Sequence, residues 1–106
     1  MAVHIPDLAI RSYLGHEVRS TTGQLLGHIV DILADAESAV PQWVVVGLPG
    51  LLPRHRALPF ALLLQTARGL VVPVSRTTLR NSPQIRLGSA MTARQELDLH
   101  AFWTGH

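Results

Sequence analysis

The chain has 106 residues, enough for one ordinary domain with its own core and too few for a second. It contains no cysteine, which excludes a disulfide framework, thiolate catalysis and any cysteine-bound metal, and which fits a reducing cytoplasm. Its 9 cationic side chains are all arginine, yet the formal balance is only +2, so the chain is not a polyelectrolyte built to coat nucleic acid.

From the start, His4, Pro6 and Asp7 stand where a signal peptide needs positive charge and then an unbroken apolar run, so residues 1–13 read as a soluble lead. A first hairpin follows. His16 to Ser20 runs into the turn Thr21-Thr22-Gly23-Gln24, whose glycine can take positive φ, and Leu25 to Ala36 returns. The return strand alternates imperfectly. Leu26, Val30 and Ile32 fall on one face and Ile29 and Leu33 on the other, which calls for a bulge or for burial on both faces. Past Pro41, the run Gln42 to Leu48 is β-rich around Trp43 and reads as a central strand.

Pro49 to Arg56 reads as an exposed loop with a basic tip, because prolines at 49 and 53 cannot continue a ladder. Ala57 to Phe60, Leu62 to Gln65 and Leu70 to Val74 are further short strands, separated by turns such as Thr66 to Gly69. Together these make about five or six strands. Helical signals come late. Ser75 caps a short turn over Arg76 to Arg80, ended by Ser82-Pro83. Thr92 and Gln95 form a capping box for a second helix that runs to Gly105. Leu99, Phe102 and Trp103 share one face of it and need an apolar surface, on the chain's own barrel or on a second copy.

No stretch reaches the roughly 20 apolar residues of a membrane span, since Ala57 to Val74 is cut by Pro59, Gln65, Arg68, Gly69 and Pro73. Chemistry has few candidates. Glu17, His28 and Asp31 lie on the first hairpin, and if Ser20 opposes Leu25 then Glu17 sits across from His28. An exposed ion pair accounts for that arrangement more simply than an active site does. His4, His16, His28, His55, His100 and His106 are scattered without metal-ligand spacing, and Gly47 to Gly50 lacks the Gly-Lys-Ser/Thr of a phosphate loop. No metal or cofactor is therefore expected, and no catalysis.

These residues also carry a family resemblance. Leu14-Gly15-His16-Glu17-Val18, the turn Thr22-Gly23, Leu26-Gly27-His28-Ile29, the aspartates at 31 and 35, Gln42 to Val46, Leu58-Pro59-Phe60, Leu70 to Val74 and Asn81-Ser82-Pro83 follow one another in the order found in PRC-barrel domains. The chain resembles that family from Leu14 to about Trp103. Ala34 stands where a larger aliphatic is common, and the loop Pro49 to Arg56 has prolines where many members have glycines.

The resemblance implies a mainly β fold, a small PRC-type barrel over 14–83 with a short helical turn, followed over 84–106 by a linker and a C-terminal helix. It also implies a module for assembly or adaptation, since the family includes the cytoplasmic part of a photosynthetic reaction-centre subunit and the C-terminal domain of a ribosome-maturation factor. The expected function is therefore a non-catalytic, cytoplasmic scaffold that binds an unidentified protein and forms a homodimer, with RNA or the ribosome as the alternative partner. The expected partner surface is Leu51, Leu52, Arg54, His55 and Arg56, and the expected dimer seam is an apolar strand edge or the helix face of Leu99, Phe102 and Trp103.

Overall fold

Short β-branched runs separated by turn residues fold here into one curled sheet. The computed structural model describes residues 2–5, 8–52, 54–86 and 91–105. Its strands are β1 (Ala2–His4), β2 (Glu17–Ser20), β3 (Leu25–Asp35), β4 (Pro41–Gly47), β5 (His55–Pro59), β6 (Leu64–Thr66) and β7 (Gly69–Val72). Its helices are α1 (Leu8–Arg11), α2 (Arg76–Asn81) and α3 (Ala93–Thr104), and a 3-10 turn spans Phe60–Leu62. The fold is mainly β, as expected, with seven strands among the described residues rather than five or six. β1 and α1 lie in the segment read as a plain lead. A strand of three residues is too short to show a period, and β1 exists because it pairs with the end of β3, from Ala2 opposite Asp35 to His4 opposite Leu33.

The strands follow the order β5-β4-β3-β2-β7-β6, with β1 beside β3 off this path. All pairings are antiparallel except that of β2 with β7. The two ends of the path, β5 and β6, are sequence neighbours joined by the 3-10 turn. No ladder joins them, so the sheet curls toward a barrel that hydrogen bonds leave open.

Irregularities in β3 give the curl. Its pairing with β4 shifts between Ile29 and Asp31 and again between Leu33 and Ala34, and such bulges sharpen the local twist. The first shift accounts for the imperfect alternation. It carries Ile29 into the inner core with Leu26 and Ile32 and leaves Val30 exposed. At the β2–β3 turn, Arg19 rather than Ser20 faces Leu25, and a bulge between Val18 and Arg19 then restores the expected pairing of Glu17 with His28.

Two apolar layers result. Inside the curl, Val18, Leu26, Ile32, Val44, Leu58 and Leu79 are fully buried. On the outside, Leu33, Trp43, Val45 and Ala57 are covered by Leu99 of α3 together with Ile85 and Met91. β4 is thus buried on both faces, which explains why Trp43-Val44-Val45-Val46 shows no alternation.

The expected cap starts α3: the Gln95 backbone N–H donates to Thr92 Oγ1 at 3.1 Å, and the Thr92 N–H donates to Gln95 Oε1 at 2.8 Å. The helix is then held down through the Trp103 indole N–H, which donates to the Ala57 carbonyl at 2.9 Å. α2 is likewise capped by Ser75, whose hydroxyl accepts from the Thr78 N–H at 3.1 Å. None of the helices among the described residues is long and apolar enough to cross a membrane.

Candidate partner-binding surface

The loop that joins β4 to β5 leaves the sheet at Gly47 and is pinched at its base, where the Leu48 backbone N–H donates to the Arg54 carbonyl at 2.9 Å. Pro49 and the positive φ of Gly50, 139°, turn the chain so that Leu51 and Leu52 stand off the surface. Leu51 is as exposed as in an extended chain, at 103%, and Leu52 is 69% exposed. Adjacent leucines in water on a ladder-closed loop form the apolar patch that a binding surface needs. Pro53 lies outside the described residues.

Beside the leucines is a groove of about 380 Å³ lined by Leu48, Leu51, Leu52, Arg54 and, from the end of α2, Arg80. Arg54 and Arg80 are exposed, and neither forms an ion pair among the described residues.

Arg56 departs from the sequence expectation. β5 starts at His55, so His55 and Arg56 belong to the ladder, opposite Gly47 and Val46, and not to a solvated tip. Arg56 is only 9% exposed. Its guanidinium donates to the His55 carbonyl at 3.2 Å and to the Arg80 carbonyl at 3.4 Å, while its Nε has no partner among the described residues. Burial, and secondarily the charge of Arg54, pulls its pKa below the ordinary arginine value. Arg80 was not legible as part of this surface, since nothing in the sequence ties a residue of a later helix to this loop, and Leu48 reads from the sequence as the end of the preceding strand.

The expected dimer residues are placed differently. Leu99 is fully buried in the outer layer, and Trp103 packs against both layers while bonded to Ala57. Phe102 is half-buried and meets Trp103 edge to face at 5.0 Å. Leu99 and Trp103 therefore serve the chain's own barrel, because the outer faces of β4 and β5 are the apolar surface that the helix requires.

On the first hairpin, His28 Nε2 lies 3.9 Å from Glu17 Oε2, and Arg19 Nη2 lies 3.3 Å from Glu17 Oε1. These side chains are about half exposed, so the cluster is a solvated cross-strand network of the kind that contributes ~1 kcal/mol or less. Asp31 Oδ1 accepts from the Ile32 N–H at 2.9 Å. No group of three or more His, Asp or Glu side chains among the described residues converges as a metal site would require. His106 lies outside the described residues.

A family model, that of the PRC-barrel domain, matches residues 6–78. No curated protein matches the chain.

Proposed function

Since the chain belongs to the PRC-barrel family, we propose that it is a non-catalytic protein-binding module whose docking surface is the β4–β5 loop. The observation that carries this reading is the pair Leu51 and Leu52, held in water on a pinned loop next to an open groove. Burying a leucine on a partner is worth about 1.5–3 kcal/mol, so two together can anchor a contact. A scaffold role needs no reacting group, which agrees with the solvated state of Glu17 and His28.

The RNA reading loses part of its support. Arg56 is buried and does not reach out to a phosphate, which leaves Arg54 and Arg80 as a small basic patch. Self-association through α3 is not part of the proposal, because Leu99 and Trp103 are occupied within the chain.

The test is capture from lysate, with and without ribonuclease, by the wild-type chain and by a Leu51→Asp/Leu52→Asp variant. The wild type is expected to retain a discrete protein. The variant should retain less than about a tenth as much, while its unfolding free energy stays within about 0.5 kcal/mol of the wild type because both leucines face solvent. Equal retention by the two chains would reject the loop. Retention that disappears with ribonuclease would favour the RNA reading.

A further inference from the structure

Arginine placement at this loop says something about what docks there. Arg54 and Arg80 wall the groove, and Arg56, which does not line it, is tied to that wall by a hydrogen bond from its guanidinium to the Arg80 carbonyl. The carboxylates with described ion pairs are elsewhere: Glu17 with Arg19 and His28, and Asp98 with Arg94. A buried guanidinium held, among the described residues, only by carbonyls and with one N–H unsatisfied there is costly to keep in a fold.

Within the fold its guanidinium ties the end of α2 to β5 through the Arg80 carbonyl. The His55 carbonyl already accepts from the Ile85 N–H at 3.1 Å, so removing Arg56 does not orphan that group. What Arg56 also supplies is a buried positive charge next to Arg80, a residue of the groove wall, where water screens it weakly.

Given the loop as docking surface, on which this depends, we infer that the partner inserts an acidic, apolar peptide segment, with Asp or Glu beside a bulky apolar side chain. The carboxylate meets Arg54 and Arg80 over the field of Arg56, and the apolar side chain lies against Leu48, Leu51 and Leu52. A nucleic-acid backbone would satisfy the arginines and leave Leu51 and Leu52 in water. A lipid surface would take the leucines but make no use of a concave groove.

The experiment is a selection from a displayed library of random peptides on the wild-type chain, counter-selected on the Leu51→Asp/Leu52→Asp variant. Enriched peptides are expected to carry Asp or Glu next to Leu, Ile, Met or Phe. Their affinity should fall by about tenfold or more as salt is raised from about 0.05 to 0.5 M, and similarly with Arg54→Ala/Arg80→Ala. Arg56→Met should weaken the same peptides while leaving the melting temperature unchanged or raising it, a combination that a purely structural arginine would not give.

Loop-dependent enrichment of neutral or basic peptides, or binding insensitive to salt, would overturn the inference and leave the loop as a docking surface. Absence of any loop-dependent enrichment would count against the loop itself. Loop-dependent binding of phosphatidylglycerol vesicles or of a polyuridine oligonucleotide, without acidic peptides, would give the surface to lipid or RNA and overturn the inference. Should Arg56→Met not fold, the exposed pair Arg54 and Arg80 still decides the outcome.

Discussion

Gly27→Ala is expected to destabilise the chain by more than about 3 kcal/mol, whereas Gly23→Ala costs about 1–2 kcal/mol. Gly27 lies in β3 beside Val46 and Gly47 of β4. A Cβ placed there would collide with the Gly47 carbonyl oxygen, and would stand 2.7 Å from Val46 Cγ1 and 3.0 Å from the Gly47 carbonyl carbon. Backbone cannot yield as a side-chain tip can, so β4 must move away from β3. Gly23, in the hairpin turn at φ +90°, has nothing within 4 Å of its added Cβ and suffers only the conformational strain. Urea unfolding of the two variants separates these effects. Because Gly47 leads directly into the loop, Gly27→Ala should also displace Leu51 and Leu52 and weaken partner capture. Equal midpoints for the two variants would mean that β3 and β4 do not approach in this way.

Leu99→Asp is the second large effect, expected to cost about 4 kcal/mol or more. Truncating a buried leucine costs about 2–5 kcal/mol through lost transfer energy and the cavity left behind, and the carboxylate adds desolvation. Leu99 sits in an apolar layer with Trp43, Val45 and Leu33, side chains that offer a carboxylate no charge to pair with. The helix should therefore detach, loosening the bond from Trp103 to Ala57 and wetting Trp43, whose ring now packs edge to face on His100 at 5.0 Å. The readouts are a red shift of tryptophan fluorescence, loss of helical circular dichroism, and more self-association in the ultracentrifuge as the outer face is uncovered. A dimer seam at Leu99 makes the reverse prediction. There the aspartate would yield a well-folded monomer from a wild-type dimer, and that result would contradict the packing described here.

The two faces of this contrast show where sequence reasoning ends. That α3 would form, where it would be capped and which stripe would seek cover were legible, because Thr92, Gln95, Leu99 and Trp103 encode them locally. Whose surface would cover the stripe was not, since the outer face of β4 becomes visible only when the valine run is known to be buried on both sides. The first hairpin was similar. Its turn chemistry and the facing of Glu17 to His28 could be read, but the bulge at Val18 and Arg19 that makes the register work could not.

At the candidate site the leucine pair was legible as an apolar insertion between prolines, and Leu51 and Leu52 do stand exposed. The arginines were not sorted correctly. A run such as Arg54-His55-Arg56 looks uniformly solvated until the ladder to β4 places its last member inside, over the end of a helix that begins 20 residues later. Long-range packing of that kind leaves no local trace.

The most direct test is photo-crosslinking from the loop, with a benzophenone side chain placed at position 51 in one chain and at position 97 in another. Leu97 is an equally suitable exposed leucine on α3, at 65% exposure, and lies outside the proposed surface. Irradiation in cells is expected to join position 51 to a discrete protein, through a peptide that contains Asp or Glu, and to give no such product from position 97. The same product from both positions, or a product from position 97 alone, would contradict docking through the β4–β5 loop.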